Sequence, residues 1–241
     1  PKLIDKPVLR LLEGWFRTLP PDAHSAVRTL IDLADRASVV VYLVGGPLRD
    51  TLLGHPSLDI DLAVEADAPS LALALGRQLS APVAVHQTFG TATVRGSGWH
   101  IDLATARTET YRRPGALPHV TPSTIGDDLR RRDFTINAMA VSLNGPAPGS
   151  LLDPHSGSDD LHSHLIRALH EHSFQDDATR IFRATRYEAR FAFQIEEETL
   201  GWIQRDVQFI QTISGARLHH EFDHIFSRGE PERVLQRLHE L

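Results

Sequence analysis

The chain has 241 residues, 41% of them hydrophobic and 23% charged, with a formal net charge of −6 and no cysteine. This composition is typical of a folded globular protein, and the lack of cysteine excludes disulfide frameworks and thiolate metal sites. No apolar run reaches the roughly 18 to 20 residues that cross a bilayer, and charges such as Asp5 and Lys6 interrupt the N-terminus, unlike in a signal peptide. We therefore expect a cytoplasmic protein.

The N-terminal half predicts one sheet flanked by helices. Residues 1–37 are expected to form one or two helices outside that sheet. Short β-branched runs then predict strands at Ser38–Val44, Asp59–Val64, Val83–His86, Thr91–Arg95, His100–Ala104 and Asn137–Leu143. Helices are expected at Pro47–Leu53 and Ala68–Leu79. Residues 38–145 thus predict an α+β domain, with a mixed or antiparallel sheet and helices on one face.

The C-terminal half has a helical periodicity. Apolar residues recur at intervals of three and four, as in Phe182, Tyr187 and Phe191. The Gly- and Pro-rich segment Asn144–Ser150 is the expected join between the halves. We predict an all-helical domain over residues 146–241. Its last helix runs to Leu241 without a stop signal, so we expect this domain to be truncated before further domains.

A double glycine comes after the first predicted strand and opens a helix. Gly45 and Gly46 let backbone N–H groups approach phosphate oxygens, and the helix N-terminus favours negative charge. Arg49, one turn into the helix, can bind a phosphate with two parallel hydrogen bonds. A glycine turn of this kind is structural as often as it is functional. Whether this one binds phosphate is therefore inferred from the residues that come after it in the chain.

Three acids lie further along, on two predicted strands. Asp59 and Asp61 alternate with Ile60, so both carboxylates are expected on one face, about 7 Å apart. Like charges at that distance are costly unless cations lie between them, and two divalent ions held by such a pair support in-line phosphoryl transfer. Asp102 offers a third carboxylate from another strand. The alternative is a solvated strand face.

Several motifs in this order resemble those of class II (bacterial-type) tRNA nucleotidyltransferases and their poly(A) polymerase relatives, in the polymerase β superfamily. The matching segments are Leu43–Gly54 with Asp59–Asp61, Arg131–Ala138, Leu152–Arg167, Asp176–Arg183 and Ser214–Glu221. The resemblance covers roughly residues 38–226, most of the chain. The chain departs from the family pattern at Asp176, where Glu is usual, and at Ala178 and Ala216, where Pro and Glu are usual.

The resemblance implies a catalytic head followed by a helical neck, and an enzyme that adds C and/or A nucleotides to the 3′ end of tRNA. It also implies two Mg²⁺ ions, the substrates CTP and/or ATP, and release of pyrophosphate. The implied roles are metal binding by Asp59 and Asp61, catalysis by these two acids and Asp102, triphosphate binding by Gly45, Gly46, Arg49, Arg132 and Arg183, sugar or nucleotide contact by Asp133 and Asn137, and base selection by Asp177 and Arg180.

The implied base selection agrees with hydrogen-bond chemistry. Positions three apart on a helix share a face, so Asp177 and Arg180 would face one base. A carboxylate accepts from the exocyclic amine of cytosine or adenine, and a guanidinium donates to their ring acceptors. Guanine and uracil present the opposite pattern at one of these positions. The alternative is a surface ion pair between the two side chains.

Three other functions fit parts of the sequence. A poly(A) polymerase is the nearest, although Gln87–Thr91 resembles the tRNA enzymes better. His220–His224 spells H-E-x-x-H, the pattern of zinc proteases, without an evident third ligand. A catalytically inactive tRNA-binding module would have no use for paired acids.

The Pro- and Gly-rich loop between Arg107 and Arg130 is a candidate mobile lid, and its sequence leaves open whether CC, A or CCA is added.

Overall fold

The computed structural model describes residues 6–55, 57–227 and 230–241. The helices are α1 (Lys6–Thr18), α2 (Pro21–Arg36), α3 (Gly45–Leu52), α4 (Ala68–Leu79), α5 (Ile125–Arg130), α6 (Gly157–His162), α7 (Ser173–Asp176), α8 (Thr179–Phe191), α9 (Glu197–Asp206), α10 (Gly215–Ser227) and α11 (Pro231–Glu240). The strands are β1 (Val41–Val44), β2 (Asp61–Val64), β3 (Val83–His86), β4 (Thr91–Gly96), β5 (Trp99–Thr105), β6 (Arg107–Thr110), β7 (His119–Pro122), β8 (Ala140–Ser142), β9 (Leu151–Leu152), β10 (Leu165–Ile166) and β11 (Gln194–Ile195).

The described chain divides into two compact units. The first holds the residues up to Thr108 together with Val120–Arg131 and Asn137–His155. The second holds Glu109–His119, Arg132–Ile136 and the residues from Ser156 onward. None of the helices in the described ranges combines the length and apolar character that a membrane-spanning helix needs.

The first unit is built on a seven-stranded sheet in the order β3-β4-β5-β2-β1-β8-β9. Strands β2 and β5 are parallel, and the other neighbouring pairs are antiparallel. The predicted α+β class with a mixed sheet is therefore confirmed. The parallel pair matters for the site, because it places residues from two distant segments side by side.

One face of this sheet carries the main core. Leu62, Ile101 and Leu103 are at most 2% exposed, and their side chains alternate with those of polar residues and alanines along β2 and β5. Helix α4 packs on this face: a Cβ added at Gly76 would lie 2.3 Å from Cγ2 of Val83, so only glycine allows this approach. The face that carries the acids is therefore the opposite one.

The opposite face is also covered at one end, by helix α5. The sequence predicts helices on one face only and does not include this one. Helix α5 contributes Ile125 and Leu129 to a buried cluster with Val44, Ala63 and Ala140. Ala63 is two residues beyond Asp61 on β2, so both side chains project from this face. The cluster thus fixes the strands immediately beside the acids.

The N-terminal helices predicted for residues 1–37 are confirmed as α1 and α2, while residues 1–5 lie outside the described residues. They bury Trp15, Val27 and Leu30 completely. Helix α2 ends at Arg36, and Ser38, two residues beyond it, has a left-handed φ of 56°. The backbone N–H of Val39 bonds back to the Ala34 carbonyl. This helix end explains why β1 starts at Val41 and not at the predicted Ser38.

The other predicted elements of the first unit are close to the observed ones. Helix α4 has the predicted bounds, and α3 begins at Gly45, two residues before the predicted Pro47. The predicted strand Asn137–Leu143 is shortened to β8, because Thr135–Asn137 forms a 3-10 turn. The predicted strand Asp59–Val64 begins at Asp61.

The second unit is mainly helical. Helices α8, α10 and α11 enclose a core of Phe182, Ile225 and Val234, extended by Ala178 and Ile213. The prediction of an all-helical C-terminal part omits a short parallel pair, β10 with β11. The predicted boundaries at residues 38 and 146 remain predictions.

Candidate active site

Two acids of the first unit are brought side by side by strand register. Asp61 is the first residue of β2 and is paired with Asp102 on the parallel strand β5. Asp59 lies just before β2, where its backbone N–H donates to Ser57 Oγ at 3.0 Å, so its predicted place within the strand is wrong. Ile60 between the acids is fully buried, whereas Asp59 is exposed. The acids thus point away from the core.

The Asp102 carboxylate has a defined orientation. The Thr93 hydroxyl, on the neighbouring strand β4, donates to its Oδ1 at 2.5 Å. Its Oδ2 lies 3.6 Å from Nε2 of His100, and the side chain is 49% exposed. One oxygen is therefore held by the sheet, and the other faces solvent beside a polar neighbour.

This donor set suits a hard divalent cation. Among the residues that the structure describes, no group of three acidic or histidine side chains forms a complete metal cage. Mg²⁺ does not need one, because it is usually bound by one or two carboxylates together with substrate phosphates. Neighbouring carboxylates such as Asp61 and Asp102 repel each other unless a positive charge lies near them. Asp59, Asp61 and Asp102 therefore fit the predicted metal.

The glycine turn leads straight from β1 into α3. Gly45 has a φ of 67°, which favours glycine, and the helix starts at this residue. Arg49 is buried: its Nε donates to Asp50 Oδ1 at 2.8 Å and its NH1 to Asn137 Oδ1 at 2.7 Å. A Cβ on Gly46 would lie 3.6 Å from Arg49 NH2. The structure thus places two predicted ligand residues, Arg49 and Asn137, against each other beside the start of α3.

Two predicted contact residues of the second unit form an ion pair. Arg183 NH2 lies 2.7 Å from Asp133 Oδ2, and the other Asp133 oxygen accepts from the Phe134 backbone N–H at 2.8 Å. Burial opposes the charge of Arg183, yet Asp133 raises the pKa of this guanidinium above its ordinary value. The preceding residue Arg132 is half-buried. Asp133 is thus held in place by Arg183.

The predicted base-selecting pair lies differently from the expected helix face. Asp177 has an extended backbone (φ −147°) just before α8, while Arg180 lies inside that helix. Asp177 Oδ1 accepts from the Thr179 backbone N–H at 3.0 Å and the Thr179 hydroxyl at 2.7 Å. The placement of Asp177 on a helix is wrong, because an aspartate that binds these groups ends one helix and starts the next.

Neighbours hold both members of this pair. Arg217 NH2, on α10, donates to Asp177 Oδ1 at 2.6 Å. Arg180 is 5% exposed, and its NH1 donates to Ser173 Oγ at 2.6 Å. Tyr111 interacts electrostatically with both Arg180 and Asp177. Its pKa is raised, mainly by burial and secondly by the charge of Glu109. Arg217 belongs to the last family motif, but the roles of Thr93 and Ser173 have no signal in the sequence.

The H-E-x-x-H segment is not arranged as a protease site. Glu221 is 7% exposed and lies 3.3 Å from Arg186 NH1, and its pKa is raised by burial. His220 is exposed and His224 half-buried on α10, with their Nε2 atoms 3.1 Å apart. The protease general base would have to face a bound metal and its substrate. Here Glu221 instead joins α10 to α8.

Two family models and several curated proteins are similar to this chain. A family model described as "Poly A polymerase head domain" matches residues 41–167, and one described as "Probable RNA and SrmB- binding site of polymerase A" matches residues 192–241. An A-adding tRNA nucleotidyltransferase of Halalkalibacterium halodurans is 37% identical over 96% of this chain and 55% of its own length. One of Geobacter sulfurreducens is 40% identical over 92% of this chain and 26% of its own length.

A solved structure has a similar fold. A solved structure described as "The structure of CCA-adding enzyme apo form II" superimposes with a TM-score of 0.86 at 40% identity, over 97% of this chain and 55% of that one. The chain thus spans about half the length of the first of the two curated relatives and about a quarter of the second.

Proposed function

Because the chain belongs to the poly A polymerase head-domain family, we propose that it adds C and/or A nucleotides from CTP and/or ATP to the 3′ end of tRNA, with release of pyrophosphate. The observation that carries this proposal is the pairing of Asp61 with Asp102 on neighbouring strands, beside a glycine turn. Asp59 precedes Asp61 by two residues. Relatives named for A addition and CCA addition support the substrate. The cytoplasm is the compartment that this function implies.

The first unit would carry out the transfer. Asp59 and Asp61 would hold two Mg²⁺. When bound, these ions would make the tRNA 3′ hydroxyl more acidic and neutralise charge on the phosphates and the leaving pyrophosphate. The backbone N–H groups at Gly45 and Gly46, with the nearby Arg49, would orient the triphosphate. Asp102 Oδ2, the oxygen not held by Thr93, would accept the hydroxyl proton.

The second unit would choose the nucleotide. Asp177 would accept from the exocyclic amine that cytosine and adenine share, and Arg180 would donate to a ring acceptor. All described hydrogen bonds of the Asp177 carboxylate go to Oδ1, so within those contacts Oδ2 is available to a base. Arg132 and Arg183 would contact phosphate, and Asp133 the sugar or nucleotide. Asn137, which belongs to the first unit, would also contact the sugar or nucleotide.

The test is an extension assay with the longest form of the protein that can be prepared. Transfer RNAs that end before, within or after the two terminal cytidines are incubated with Mg²⁺ and with CTP and ATP, separately and together. We expect addition of one to three nucleotides followed by arrest, and the pattern identifies the nucleotides added. Long A tracts on any RNA would identify a poly(A) polymerase instead, and no incorporation would overturn the proposal.

A further inference from the structure

The order of strands gives the candidate active site two sides. The glycine turn and α3 come directly after β1, which borders β2 on one side. On its other side β2 borders β5, which carries Asp102, and β4 follows β5. In-line transfer places the attacking hydroxyl opposite the leaving pyrophosphate. If the triphosphate lies at the glycine turn, the RNA end must approach from the side of β5 and β4.

Four polar side chains occupy that approach side. Thr93 and Arg95 on β4 are the register partners of Asp102 and His100 on β5. The alternating residues Val94 and Ile101 are fully buried on the opposite face. Cross-strand partners share a face, so Arg95 and His100 form the next row beyond Asp102. That row lies about 7 Å from the acids, at two residues of strand rise.

The row formed by Arg95 and His100 has the exposure and charge of a phosphate-binding surface. Arg95 is exposed, and within the described part of the chain no carboxylate lies at ion-pair distance from it. The His100 side chain is 48% exposed, with Nε2 directed towards the Asp102 carboxylate at 3.6 Å. The acids themselves repel RNA, so a strand that reaches them needs a cation on its path.

We infer that Arg95 and His100 bind the phosphodiester backbone of the single-stranded acceptor end, next to the nucleotide whose 3′ hydroxyl reacts. This inference rests on the proposed function, since it takes its direction from the position of the triphosphate. A guanidinium binds phosphate through its fork of donors, and a histidine N–H adds a weaker, orienting hydrogen bond. The contact is with backbone and does not distinguish bases.

The test measures RNA binding without catalysis. Arg95→Ala and His100→Ala are compared with the unchanged protein and with Arg77→Ala. Arg77 is an exposed arginine on α4, which packs on the opposite face of the same sheet. Fluorescence anisotropy gives the Kd, without divalent metal or nucleotide, for a tRNA that ends in two unpaired cytidines and for the same tRNA trimmed to its paired stem. Titrations are repeated over a range of salt concentrations.

We expect Arg95→Ala to weaken binding of the tailed tRNA about three- to tenfold and to lower the salt slope by about 0.7, the value for one single-strand phosphate. His100→Ala should weaken it less, and neither variant should change the Kd of the trimmed tRNA. In steady state, both should raise KM for tRNA and leave KM for the nucleotide unchanged. Equal binding by Arg95→Ala, His100→Ala and Arg77→Ala would overturn the inference, whether or not the protein adds nucleotides.

Discussion

At the scale of single residues, three donors converge on Asp177 Oδ1: the Thr179 backbone, the Thr179 hydroxyl and the Arg217 guanidinium. Arg217 is 40 positions away in the chain, so this contact joins α10 to the start of α8. A carboxylate held from one side presents its second oxygen in a fixed direction. In the proposed function Arg217 is thus a positioning residue, while Asp177 contacts the base.

This arrangement predicts graded losses of nucleotide selectivity. Asp177→Ala removes a charged hydrogen-bond acceptor and should lower kcat/KM for CTP or ATP by roughly ten- to a hundredfold, the range for a hydrogen bond to a charged group. The preference of this variant for CTP or ATP over UTP and GTP should fall together with kcat/KM. Arg217→Ala should give a smaller loss in the same direction, because Asp177 stays but is less fixed.

Selectivity between nucleotides is the measurement that separates this role from a purely structural one. Arg233→Ala, which removes an exposed ion pair with Glu230 in the same unit, is the matched control and should leave the ratio unchanged. A variant at Arg217 that lowers the rate for all four nucleotides equally would contradict the positioning role.

Residue types could be predicted from the sequence where the chemistry restricts them. Paired acids, a glycine turn and the Asp177–Arg180 spacing all agree with the requirements of phosphoryl transfer and base recognition. Thr93, Ser173 and Arg217 are different, since their roles depend on partners brought close by folding. A threonine opposite an acid is visible only once the register of β4 on β5 is known.

At the scale of elements, the segment predicted to be a mobile lid has more structure than its Pro- and Gly-rich sequence suggests. Strands β6 and β7 form a two-stranded sheet of their own. Gly115, between them, has a φ of 74°, and a Cβ there would lie 2.6 Å from the Thr212 carbonyl oxygen. Glycine is needed at this position both for its backbone conformation and for the close approach. Whether this loop moves in catalysis stays a prediction.

The close approach predicts that Gly115→Ala is destabilising. Both backbone strain and overpacking contribute, so we expect the free energy of unfolding to fall by about 2 to 4 kcal/mol. Gly98→Ala is the matched control, because Gly98 also has a positive φ but no atom within 4 Å of its added Cβ. Urea denaturation of both variants measures the difference. Equal losses would mean that the Thr212 contact contributes nothing.

Element types are easier to predict than element ends. The 12-residue helix α4 has its predicted bounds, because its apolar spacing and its flanking residues agree. The starts of β1 and β2 differ from the predicted ones, since Ser38 belongs to the turn that follows α2 and the turn at Ser57 occupies the residues before Asp61. Local hydrogen bonds of this kind override β-propensity at strand ends.

At the scale of the whole molecule, the change of hydrophobic period from two to about 3.6 is enough to predict a sheet domain followed by helices. The sheet order is not predictable, because β2 pairs in parallel with β5, some 40 residues later, across an intervening helix and hairpin. The chain also passes between the two units more than once, at Glu109–His119 and at Arg132–Ile136. No local pattern encodes those crossings.

Nucleotidyl transfer by this molecule is proposed to depend on Asp59 and Asp61, and isosteric substitution of these two acids is the decisive test. Asp59→Asn and Asp61→Asn keep the side-chain shape and remove the charge that would hold Mg²⁺. Asp32→Asn, at an exposed aspartate on α2, removes an equal charge elsewhere in the same unit. Nucleotide addition to tRNA is followed under single-turnover conditions with saturating Mg²⁺. We expect both site variants to lose at least about a hundredfold in rate while Asp32→Asn keeps it, and addition that survives loss of both acids would refute the proposed mechanism.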